Sequence, residues 1–158
     1  IAPLLTGGCT TAPFASGDIP LSRTGMAVIS AENGVRHSLE QIQRLNPAVN
    51  AVIAVDPTSL DQARAFDASG RTLAGIAGQP VLVKDNIEVA GPMPTTAGSL
   101  ALANNVTNRD APLIARLRAA GGIVIGKANL SEWANFRDQE SISGWTPVGG
   151  QVRKPSCP

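Results

Sequence analysis

The residue of this sequence best placed to do chemistry is Lys84. It follows Val81-Leu82-Val83 directly, so a cation stands at the end of an apolar, β-branched run. Burial at such a point favours the neutral amine, and a neutral lysine is a competent general base. The alternative is a lysine whose stem covers apolar surface while its head reaches water. On the local sequence alone that alternative is the stronger. Asp85 next to it reads as an ordinary salt-bridge or turn residue. Further on, Thr95-Thr96-Ala97-Gly98-Ser99 gathers hydroxyls and a glycine in a loop after a strand. Such a loop either lines a pocket or closes a turn through side-chain-to-backbone hydrogen bonds. Ser141, Ser143 and Gly144 carry the same two readings. Several other chemistries are excluded. There is no Gly-x-Gly-x-x-Gly, no Walker loop and no Gly-x-Ser-x-Gly elbow. His37 neighbours Ser38, but adjacent helical residues do not face each other, so no Ser-His-Asp triad is built on it.

These residues must be positioned by alternating strands and helices. Met26 to Leu45 shows near-helical apolar spacing at Ile29, Val35, Leu39, Ile42 and Leu45, with Pro47 as its expected end. Asn33-Gly34 is a weak point at which this helix is expected to break. Ala51–Val55 reads as a strand, 58–68 as a helix and Pro80–Val83 as a buried strand. Gly91–Gly98 is a loop by its Gly and Pro content. Asp110 is the expected N-cap of a helix that Gly121-Gly122 stops, and Ile123–Ile125 is the next buried strand. Leu130–Phe136 reads as a short helix capped by Asn129. The order predicts an α/β fold: a mixed, largely parallel sheet flanked by helices.

The 158 residues suffice for one domain, and 43% apolar against 16% charged residues allows a buried core. A net charge of +1, 3% aromatic residues and no Tyr argue against a nucleic-acid partner. Two cysteines and one histidine support neither a disulfide scaffold nor a cysteine- or histidine-rich metal site. No apolar stretch reaches the roughly 18 residues of a membrane-spanning helix. Residues 1–24 read as an export-signal remnant and linker, with Cys9 placed like a lipidated cysteine after an apolar and small-residue run. Thr6 stands where such signals usually carry Leu. That reading implies the bacterial cell envelope or periplasm, with Cys9 as a lipid anchor. The cytoplasm is the alternative.

Several collinear strings then agree with one family. Gln79-Pro-Val-Leu-Val-Lys-Asp-Asn-Ile87, Thr95–Ser99, Asp110–Gly121, Ile125–Phe136, Ser143-Gly-Trp145 and Gly149-Gly-Gln-Val-Arg153 together resemble the amidase signature family, most nearly its bacterial peptide amidase branch. The resemblance makes residues 25–158 the N-terminal portion of the amidase signature fold, itself incomplete here. It implies hydrolysis of carboxamides, C-terminal peptide amides among them, by a Ser/cis-Ser/Lys triad with no metal or organic cofactor. Lys84 matches the family's general base. Ser143, Ala134 and Asn135 match positions near the substrate. The partners implied are a small amide or peptide-amide substrate and the remainder of the amidase domain.

The sequence also departs from the pattern. Both family serines lie in a Gly/Ser-rich stretch after an Arg-Asn-Pro segment. Here that segment reads Arg153-Lys154-Pro155, followed only by Ser156-Cys157-Pro158. Neither serine is assigned, and the chain by itself is expected to be inactive. The alternative is a non-catalytic binding or structural protein that reuses a truncated amidase half.

Overall fold

The computed structural model describes residues 30–136, 140 and 142–155. Cys9, Ser141 and Ser156–Pro158, like the whole export reading of residues 1–24, lie outside them. Among the described residues, five strands and three helices follow in the order α1 (Ala31–Val49), β1 (Val52–Val55), α2 (Ser59–Ala68), β2 (Pro80–Lys84), α3 (Pro112–Ala119), β3 (Ile123–Ala128), β4 (Trp145–Thr146) and β5 (Gly150–Gln151). β3 is central in a three-stranded sheet of order β1-β3-β2. It runs parallel to β2 and antiparallel to β1, so the sheet is mixed as expected. β4 and β5 form a separate antiparallel pair.

One face of the sheet is covered by α1 and α2. Ala31 and Val35 of α1 and Ala63 and Phe66 of α2 pack with Ile123 and Ile125 of β3. The other face packs against α3 and the loop after β2: Val83 and Val124 meet Val89, Met93 and Ile114. Removing these side chains from water is what holds helices on both faces of so small a sheet.

Several local expectations are corrected. α1 does not stop at Pro47, which lies inside it. Proline near a helix C-terminus keeps a helical φ and forfeits one bond. The stop comes from Asn50, in the left-handed conformation at φ 52°, whose N–H donates to the Asn46 carbonyl at 2.7 Å. Asn33-Gly34 does not break the helix either. It falls in the first turn, where the Asn33 N–H donates to Ser30 Oγ at 3.1 Å. The carboxylate of Asp67, on α2, adds a second cap, accepting from the Ala31 and Glu32 N–H groups at 2.8 and 3.0 Å. Asp67→Ala should therefore cost about 1–2 kcal/mol, read as a lowered urea midpoint with α1 fraying first in hydrogen exchange. An unchanged midpoint would mean that Ser30 suffices.

Asp110 is not the N-cap of α3, a place taken by Ala111. Its carboxylate instead accepts the Ala90 N–H at 2.7 Å and pairs with Arg118 at 3.2 Å, tying the loop after β2 to the last turn of α3. The expected helix over Leu130–Phe136 is a short 3-10 segment, Glu132–Asn135, broken by left-handed residues.

Candidate active site

Lys84 is the last residue of β2 and pairs with Ala128 of β3. Val83 and Asp85 on either side of it are buried, whereas Lys84 is exposed. Strand alternation puts its side chain on the face opposite theirs, with Leu82, itself 40% exposed. A desolvated Lys84 is thus not what the described residues show. α1 and α2 cover Ile123 and Ile125 on that face but leave the end of the edge strand β2 open. The lysine stands at the carboxyl end of two parallel strands, the usual place for a ligand in an open α/β sheet.

The buried lysine is another one, Lys127 on β3, fully removed from solvent. Its Nζ donates to the Ile87 carbonyl at 2.6 Å and to Thr95 Oγ1 at 3.0 Å, and stands 3.7 Å from Asp85 Oδ1. Burial pushes its ammonium below the ordinary lysine value, with the carboxylates of Asp85 and then Glu88 pulling the other way. Sequence reasoning missed Lys127 because the apolar pattern alone ends the strand at Ile125. A signal was present: Ile123-Val-Ile-Gly-Lys127 is a second lysine at the end of an apolar run. Its face was not legible. Strict alternation would send Lys127 to the side of Ile123 and Ile125. Val81 pairs with Val124 but Leu82 with Gly126, so one extra residue bulges from β3 and moves Lys127 to the side of Val83.

Asp85 is also fully buried. Its Oδ2 accepts from the Thr96 N–H at 3.2 Å and from Thr96 Oγ1, while Oδ1 has no hydrogen-bond partner among the described residues. Its backbone is gripped too: its N–H donates to the Ala128 carbonyl at 3.1 Å, and its carbonyl accepts from the Ala97 N–H at 3.0 Å. Thr95, Thr96, Ala97 and Gly98 are all buried, so this loop is a hydrogen-bonded turn against Asp85.

Ala97 links the end of β2 to the other predicted site residues. Its carbonyl accepts the Trp133 N–H at 2.9 Å. Trp133, Ala134 and Asn135 follow at φ 47°, 55° and 62°, three consecutive non-glycine residues in the left-handed region. Such conformations each cost on the order of 1 kcal/mol or more, and they gather where function holds them. Ala134 is exposed, and Asn135 Oδ1 is buried without a hydrogen-bond partner among the described residues. Ser143 is exposed; its carbonyl accepts from Gln151 Nε2 at 3.0 Å, and Gly144 beside it donates to Ser131 Oγ at 2.7 Å. The fold therefore joins the strand end carrying Lys84 to Ala134-Asn135 through one residue, Ala97, and joins Ser143 to the same turn through Ser131.

Gly98 closes this junction. Its φ of +78° is left-handed, and an added Cβ would strike the Thr146 side chain. Gly98→Ala is expected to lower stability by about 1–3 kcal/mol, measured by urea denaturation. An unchanged midpoint would show that the Thr146 contact yields freely. No cluster of His, Cys, Asp and Glu suited to a metal ion occurs among the described residues.

The model of the Amidase family matches residues 33–156, most of the chain. This chain belongs to the amidase family. It is 44% identical over 122 residues to a probable amidase from Arabidopsis thaliana, spanning 74% of this chain and 24% of that one. Among solved structures it superposes on the peptide amidase of Stenotrophomonas maltophilia with a TM-score of 0.75 at 45% identity, covering 80% of this chain and 27% of that one. An amidase family protein from Bacillus anthracis superposes with a TM-score of 0.75 at 34% identity, covering 80% of this chain and 26% of that one. The chain thus spans about a quarter of the length of these relatives. Lys84, Ala134, Asn135 and Ser143 all fall within the residues that the family model matches.

Proposed function

We propose that this amidase-family chain supplies the lysine end of a carboxamide-hydrolysing site, with Lys84 as general base. The observation that carries the reading is the position of Lys84. It projects from the carboxyl end of β2, which is tied through Asp85 and Ala97 to a turn of three strained left-handed residues, in a segment matched by the family model. In the proposed scheme Lys84 takes a proton through a bridging serine from a nucleophilic serine. The nucleophile attacks the amide carbonyl, the amine leaves with a proton, and water resolves the acyl-enzyme. Both serines belong to the remainder of the amidase domain. That remainder would also cover Lys84 and supply the desolvation that a neutral amine requires. Ser143, Ala134 and Asn135 are proposed to line the substrate side. The likeness to a peptide amidase at 45% identity supports C-terminal peptide amides as the substrate class.

The test is labelling by a serine-reactive fluorophosphonate. The protein with the complete amidase domain should label, Lys84→Ala should lose the label, and the 158-residue chain should not label. Labelling of the short chain that disappears in Lys84→Ala would overturn the assignment of both serines to the remainder. Envelope attachment through Cys9 is a separate proposal. Metabolic incorporation of radiolabelled palmitate into the precursor, lost in Cys9→Ser, would support it. No incorporation would end it.

A further inference from the structure

Resting on the reading of Lys84 as base, we propose that Lys127 is a positioning residue for it. Through Asp85 and the loop after β2, Lys127 fixes the strand end from which Lys84 projects.

Lys127 and Asp85 are both completely buried, in a chain with apolar side chains to spare. A buried ion pair is weak evidence for stability, since well-packed apolar residues of the same volume do as well or better. What an apolar residue cannot supply is direction. The Lys127 ammonium holds three groups from separate points of the chain: the Ile87 carbonyl, Thr95 Oγ1 and the Asp85 carboxylate. Ile87 is itself tied back to Lys84, its N–H donating to the Lys84 carbonyl at 3.0 Å. The same ammonium thus braces the segment directly after Lys84 at two points: Ile87, which closes the turn Lys84–Ile87, and Asp85 inside that turn. Asp85 in turn carries Thr96 on its carboxylate and Ala97 on its carbonyl, and Ala97 carries Trp133. This chain of bonds from Lys84 to the left-handed turn passes through groups that Lys127 holds or that adjoin them. The β3 bulge that turns Lys127 to this side is the backbone feature that makes the arrangement possible.

A catalytic base displaced by about 1 Å loses on the order of 10²-fold in rate, while substrate binding is little affected. The experiment uses the protein with the complete amidase domain and a carboxamide substrate. Lys127→Met leaves Asp85 charged and alone, so the double variant Lys127→Met/Asp85→Asn removes both charges and keeps the variant foldable. Thr95→Val, nearly isosteric, removes one ammonium contact and keeps the pair. The expected result is a kcat about 10–100-fold lower in the double variant and several-fold lower in Thr95→Val, with KM within about twofold in both. In a Lys84→Ala background neither change should lower the residual rate further, because both act through Lys84. Wild-type kcat in a folded double variant, or losses that multiply with Lys84→Ala, would overturn the proposal. Full activity of Lys84→Ala itself would instead overturn the reading of Lys84 as base, a distinct result.

Discussion

Lys84→Ala, made in the complete amidase domain, is expected to lower kcat/KM by about 10²–10⁴-fold, the usual worth of a general base. The same change should leave the fold almost untouched. Lys84 is exposed, makes no ion pair among the described residues, and ends its strand. Substitutions of that kind usually stay within about 0.5 kcal/mol. The two readouts together separate chemistry from folding. Hydrolysis of a carboxamide reports the first, and a urea unfolding midpoint reports the second. A large drop in midpoint would mean that the side chain is structural, and an unchanged rate would remove Lys84 from the mechanism. Lys84→Arg is expected to be as inactive as Lys84→Ala, since a guanidinium stays protonated and cannot accept the proton.

The second large effect concerns stability. Lys127→Met strands the Asp85 carboxylate inside the protein, facing an apolar side chain where an ammonium stood. Breaking a buried pair from one side costs about 3–5 kcal/mol, a large part of the roughly 5–15 kcal/mol that holds a typical domain. The double variant Lys127→Met/Asp85→Asn should recover most of that loss, because no lone charge remains. A midpoint as low as that of the single variant would show that the hydrogen bonds to Ile87 and Thr95, not the charge, were what mattered. The pair also predicts a pH dependence. Burial holds Lys127 below its ordinary value, so the unfolded chain binds more protons between that lowered value and about 10.4. Stability of the wild type relative to the double variant should therefore rise with pH across that window. The penalty of burying the ammonium is fully present below it and relieved above it. Urea midpoints of both proteins from neutral to alkaline pH would check the sign, and a difference that falls with pH would refute it.

Much of the fold was legible because the determinants were local. Val81-Leu82-Val83 and Ile123-Val124-Ile125 are apolar, mostly β-branched runs, and both are strands, but only β3 is buried on both faces as expected; β2 is an edge strand that leaves Leu82 and Lys84 exposed. The spacing of Val35, Leu39 and Ile42 puts one apolar face on α1, and those residues pack on the core. The family motifs, with Lys84 among them, were likewise carried by the order of residues alone. Local reasoning failed where a distant group made the decision. Pro47 does not end α1 because Asn50 supplies a better stop, and Asp110 is drawn off the start of α3 by the Ala90 N–H and Arg118. Leu130–Phe136 has helical composition, yet Ala97 takes the Trp133 N–H and the chain turns left-handed.

The two lysines mark the boundary between the kinds of information. Sequence alone determined that each follows an apolar strand, and that the first lies in an amidase motif. Only the tertiary structure decided which of them is buried. One bulge in β3 changes the parity of alternation, so Lys127 faces Asp85 and the loop after β2, while Lys84 keeps the phase of an edge strand and reaches water. Side chains alternate with a period of two, so a single inserted residue reverses every assignment after it. That insertion is set by pairing with β2 and is not written in the local pattern of β3.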